Sequence, residues 1–136
     1  MADTVSKRRI LLVDDEASFA GVLKAYLERT GRFEVAMAHN GTDGLQAAKT
    51  TAPELILLDV IMPDISGSEV AERLKADELT RRIPVIFLTA VVSRDEAKSR
   101  AGMIGGQLFL AKPVSAKEVM ASIDRYLGAG HTTDVL

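Results

Sequence analysis

"ILLVDDEASF", residues 10–19, runs four apolar residues directly into three acids. A short unbroken apolar run reads as a strand buried on both faces, and the residues after it read as the opening of a helix. "LILL" at 55–58 and "VIFL" at 85–88 have the same character, so three central parallel strands are expected. "RFEVAMAH" (32–39) alternates instead, with Phe33, Val35 and Met37 on one side and Glu34 on the other, as an edge strand does. "QLFLA" (107–111), set between Gly105-Gly106 and Lys112-Pro113, is expected at the opposite edge.

Helical spacing fills the intervals. Phe19, Val22, Leu23, Tyr26 and Leu27 fall on one predicted apolar face, and Gly31 supplies a stop. Leu45 with Ala48, and Val70 with Leu74, mark two shorter helices. A weakly amphipathic one is expected over Arg94–Ala101. The last, carrying Val119, Met120, Ile123, Tyr126 and Leu127, should start near Ser115. Five strands alternating with five helices make a doubly wound α/β fold: a parallel sheet of order 2-1-3-4-5 with helices on both faces. In such a sheet ligands bind beyond the carboxyl ends of the strands, at the switch point between the first and third.

Composition narrows the chemistry. A chain of 136 residues, 47% hydrophobic, suits one domain with one sizeable core. A formal net charge of -2 gives no global field for nucleic acid or a membrane surface, and the lack of cysteine excludes disulfides and thiolate chemistry. No stretch approaches the ~20 apolar residues of a membrane span, and "MADTVSKRR" is not followed by a signal-peptide core. A cytoplasmic location is the expectation.

The carboxyl ends of the predicted strands carry Asp14 and Asp15, then Asp59, Thr89 and Lys112. Each has a bland reading taken singly: Asp15 or Glu16 as a helix cap, Thr89 as a strand end, Lys112 as a solvated charge. Together they converge on one crevice. Carboxylates ~4 Å apart repel by about 4 kcal/mol at an effective dielectric near 20, so three of them call for a cation. An all-oxygen site with room for water suits Mg²⁺. A metal, a nucleophilic carboxylate, a hydroxyl and an ammonium are the parts needed for phosphoryl transfer.

The motifs "LLVDDE", "LILLDVIMPDISG", "PVIFLTA" and "FLAKP", in that order and spacing, resemble the receiver domain of two-component response regulators. The resemblance is to the single-domain, chemotaxis-regulator type. It implies a flavodoxin-like (βα)5 receiver domain over 8–128, between flexible ends at 1–7 and 129–136. It implies Asp59 as phosphoacceptor and Asp14, Asp15, Asp59 and the backbone carbonyl of Ile61 as the Mg²⁺ site, with Mn²⁺ a possible substitute. Thr89 and Lys112 would contact the phosphoryl oxygens, the Lys112-Pro113 bond would be cis, and Thr89 with Phe109 would form the switch.

The implied donor is a sensor histidine kinase or a histidine phosphotransfer protein. The readout would be the surface of the fourth helix, fifth strand and fifth helix, docking an unknown protein target as a monomer or a weak phosphorylation-dependent dimer. Catalysis would be confined to the domain's own phosphorylation and dephosphorylation. Ile61 and Val91 are apolar and offer nothing to orient a hydrolytic water, which predicts a long-lived phosphoryl group. His39 and His131 read as surface residues, and the two glycines of "GMIGGQ" suggest local mobility.

Rival readings differ at identifiable positions. A flavin-binding domain needs a phosphate-cradling loop after the first strand, where this chain has acids. An aspartate-nucleophile phosphatase needs an acid two residues past the nucleophile, where this chain has Ile61. A non-phosphorylated receiver-like interaction module is expected to lack site residues, and here all are present. The nine residues after Leu127 are too few for an output domain, which leaves a stand-alone regulator or part of a larger one.

Overall fold

The computed structural model describes residues 7–89, 103–104, 107–111 and 115–127, with the backbone alone at 89, 103–104, 107–109 and 111. The described elements are β1 (Arg8–Val13), α1 (Ala17–Arg29), β2 (Phe33–Ala38), α2 (Gly41–Thr51), β3 (Leu55–Asp59), α3 (Gly67–Ala76), β4 (Val85–Thr89), β5 (Met103–Ile104), β6 (Gln107–Ala111) and α4 (Ala116–Leu127). The sheet order is β2-β1-β3-β4-β6-β5. The five strands expected from the sequence pair in parallel and in the expected order.

The sheet does not end at 107–111, however. β5 adds an antiparallel pair outside β6, with Met103 opposite Leu108 and Ile104 opposite Gln107. Two residues are too few to register as an apolar run, so the true edge lies one strand beyond the expected one. The helix expected over 94–101 and both chain ends, 1–6 and 128–136, lie outside the described residues.

Unbroken apolar strands serve two layers at once. On one face Ile10, Leu12, Leu55, Leu57, Ile86 and Leu88 pack against Ala20, Leu23 and Leu27 of α1 and Val119 and Ile123 of α4. On the other, Leu11, Val13, Ile56, Leu58, Val85 and Phe87 meet Ala48 of α2 and Val70 and Leu74 of α3. Every residue of β3 is buried, as a central parallel strand requires.

The face of α1 is rotated from the predicted one. Ala20, Leu23 and Leu27 are buried while Val22 is 71% exposed. With about 100° per residue, Val22 lies roughly 130° from the centre of the buried stripe, so its apolar character does not bring it inside.

Among the described residues, three helix starts are capped by side chains. Asn40 accepts from the Asp43 amide and Ser66 from the Glu69 amide. Ser115 and Glu118 bond each other's amides reciprocally. Ala52, closing α2, has φ +48, a left-handed position that costs a residue with a Cβ. Its carbonyl accepts from the Arg9 guanidinium at 3.0 and 3.2 Å.

Candidate functional site

β1 ends at Val13 and hands the chain to α1 through Asp14, Asp15 and Glu16. Asp14 is fully buried, its amide donating to the Ala38 carbonyl of the neighbouring β2 at 3.0 Å. Its Oδ1 accepts from the Glu16 amide at 2.9 Å, so the turn into α1 is held by Asp14 rather than by a cap on Glu16. Glu16 occupies the N-cap, its side chain makes no capping bond, and the first turn of α1 holds no acid. Asp15 is exposed and faces solvent from the same corner.

Asp59 is the last residue of β3 and is 6% exposed. The crossing of β1 and β3 side by side, Val13 opposite Leu58, brings carboxylate oxygens of Asp14, Asp15 and Asp59 within 4.8 Å of one another. At that separation two full charges repel by about 3.5 kcal/mol at an effective dielectric near 20. Two of the three acids are buried, where water screens least. A hard divalent cation matches this all-oxygen set with an open, exposed side at Asp15.

Of the other expected members, Thr89 sits at a strand end in register with the acids. Asp59 pairs with Leu88, and the next residue, Thr89, pairs with Ala111 at the end of β6. Lys112, Pro113 and Val91 lie outside the described residues, as do the side chains of Thr89 and Phe109. The Phe109 backbone pairs with Phe87 in mid-sheet. A cavity of about 220 Å³ opens at the amino end of β4 between Leu74, Thr80, Pro84 and Tyr126, away from the acids.

The loop leaving β3 contains what sequence reasoning missed. The Gly67 amide donates to the Val60 carbonyl at 2.7 Å, closing the 60–66 segment on itself. A Cβ at Gly67 would stand 2.2 Å from the Asp59 carbonyl oxygen, so no other residue fits this close approach. From within the loop, Asp64 binds the start of α2: Oδ1 accepts from the Gly41 amide at 2.9 Å, and Oδ2 from the Thr42 amide and hydroxyl at 2.8 and 2.7 Å. The Thr42 hydroxyl, followed by the Gly41 and Thr42 amides, holds the Asp64 carboxyl well below the usual carboxylate range. The sequence signal was only an acid after a proline in a turn. At the tip, Ile61 is 61% exposed and its amide stands 3.4 Å from Asp59 Oδ1.

The family model of the response regulator receiver domain matches residues 10–124. The chain belongs to the response regulator receiver domain family. The polar-differentiation response regulator DivK of Brucella anthropi is 34% identical over 122 residues, covering 89% of this chain and 97% of that protein. A CheY-like receiver domain protein from Methanospirillum hungatei superposes with a TM-score of 0.73 at 29% identity, covering 90% of this chain and 94% of the other. The receiver domain of a sensor histidine kinase from Pseudomonas aeruginosa has a magnesium ion coordinated in its active site cleft. It superposes with a TM-score of 0.75 at 28% identity, covering 91% of this chain and all of that domain (100%). Receiver domains are signalling modules, and among the described residues of this one no helix is long and apolar enough to cross a membrane.

Proposed function

We propose that this receiver domain is a Mg²⁺-dependent phosphorylation switch with Asp59 as the phosphoacceptor. The meeting of Asp14, Asp15 and Asp59 within 4.8 Å at the carboxyl end of the sheet is the observation that carries this reading. Asp14, Asp15, Asp59 and the Ile61 carbonyl would hold Mg²⁺, or Mn²⁺ in its place, and the bound ion would offset the charge of an incoming phosphoryl group.

In the reaction an Asp59 carboxylate oxygen attacks the phosphorus of a phosphohistidine, on a sensor histidine kinase or a histidine phosphotransfer protein. The new O–P bond forms as the N–P bond breaks, and the imidazole leaves carrying the electron pair. Thr89, at the strand end neighbouring Asp59, and Lys112 take the phosphoryl oxygens. Asp14 is buried and tied into the turn by the Glu16 amide, which suits orientation of the site. Asp15 is exposed and suits direct metal contact. Thr89 moving toward the phosphoryl group vacates space for Phe109, and the changed surface around β6 and α4 controls docking of a protein target. Apolar Ile61 beside Asp59 leaves no side chain to orient water, so the phosphoryl group is long-lived.

The test is incubation of the native protein and Asp59→Asn with Mg²⁺ and acetyl phosphate, read by intact mass. The native protein gains one phosphoryl group and the variant none. A native protein that gains nothing is a receiver-like interaction module that works without phosphorylation, and loss of the label within seconds contradicts the long lifetime.

A further inference from the structure

We infer that Asp64 is a positioning residue for this site. Its carboxylate, bound across the N-terminus of α2, fixes the 60–66 loop and with it the Ile61 carbonyl. The inference rests on the metal-site reading above and deepens it.

The geometry is specific to the loop rather than to the helix. α2 already has its cap, since Asn40 Oδ1 accepts from the Asp43 amide at 2.7 Å. Asp64 adds three bonds to Gly41 and Thr42 from a segment that leaves β3 five residues earlier. Beside it, Ile65 packs where a Cβ on Gly41 would lie, 2.4 Å from Ile65 Cγ1, so the loop and the helix start are in close contact. The other end of the loop is closed by the Gly67–Val60 bond of 2.7 Å. Ile61 sits between these anchors, and its own amide contact of 3.4 Å is at the weak end for a hydrogen bond. The direction of the Ile61 carbonyl therefore depends on the anchors. The Thr42 hydroxyl and the two amides favour the charged form of Asp64 and lower its pKa. Asp64 is exposed, so its truncation opens no cavity and the variants fold.

The test compares Asp64→Ala with Asn40→Ala, which removes the cap of the same helix without touching the loop. Amide hydrogen exchange on the metal-free proteins and Mg²⁺ titration by calorimetry are the two readouts. Asp64→Ala is expected to speed exchange at Val60, Ile61 and Gly67 and to weaken Mg²⁺ roughly tenfold, the low end for groups that orient ligands. Phosphorylation by acetyl phosphate should recover at saturating Mg²⁺. Asn40→Ala is expected to lower the melting temperature while leaving loop exchange and Mg²⁺ affinity unchanged.

Native Mg²⁺ binding with loop exchange and affinity unchanged in Asp64→Ala overturns the inference alone. So does an equal loss of affinity in both variants. A native protein that binds no Mg²⁺ overturns the functional reading and the metal part of this inference with it. Faster loop exchange in Asp64→Ala would then still support the anchor itself.

Discussion

The two faces of the sheet hold their helices by different means. The face under α1 and α4 is packed with large side chains, Leu23, Leu27, Phe33 and Ile123 among them. The face under α2 and α3 also buries large side chains, Val70, Leu74 and Phe87 among them, but α2 meets it through small residues and is held by directed bonds near both ends. Gly41, Gly44 and Ala48 are the buried residues of α2. Asp64 ties its start to the β3–α3 loop, and Lys49 pairs with Asp77 at 3.3 Å beyond the end of α3. Apolar packing tolerates small sliding and stores most of the stability, whereas hydrogen bonds and close backbone approach fix direction. The loop that follows Asp59 lies on the second face, where direction matters most if Asp59 is the phosphoacceptor proposed above.

That contrast can be broken most forcefully on the first face. Leu27 is fully buried, so Leu27→Ala should cost about 2–5 kcal/mol in denaturant unfolding, yet the folded protein should bind Mg²⁺ as the native one does. A large fall in affinity at full folding would erase the distinction between the faces. On the second face Gly67→Ala puts a Cβ against the Asp59 carbonyl oxygen. It should cost about 1–3 kcal/mol and also weaken Mg²⁺, because the backbone that moves carries Asp59 and Ile61, two of the proposed ligands.

Asp64→Asn sharpens the comparison through pH. The folded-state pKa of Asp64 is depressed, so its contribution is fully present above the unfolded value and fades as pH falls toward the folded one. The stability gap between native and variant should therefore be constant at neutral pH and narrow only below about pH 4. A gap that widens on acidification would contradict the assignment. The smallest effect is expected at Glu16, whose side chain makes no capping bond. Glu16→Ala should change stability by at most a few tenths of a kcal/mol, about the weakest dipole contribution, and leave Mg²⁺ binding alone, whereas Asp15→Ala should weaken it.

The architecture was legible because three strands are apolar on both faces, a pattern that fits a covered parallel sheet better than any helix. The acids were legible because they follow those strands immediately. What escaped was set by tertiary contact. Val22 fits the helical spacing but lies off the buried stripe. β5 is two residues long and exists by pairing. Glu16 reads as a capping side chain because nothing in "DDEAS" says that Asp14 will take the amide. Asp64 binds residues 22 and 23 positions earlier in the chain, a distance over which local spacing carries no information.

The central claim is that Asp59, rather than Asp14 or Asp15, receives the phosphoryl group. An acyl phosphate is reduced by borohydride to the alcohol, so trapping after acetyl phosphate treatment and peptide mapping reads the acceptor directly. The account predicts homoserine at position 59 when Mg²⁺ is present and none after chelation. Homoserine at position 14 or 15, or label independent of the metal, would contradict it.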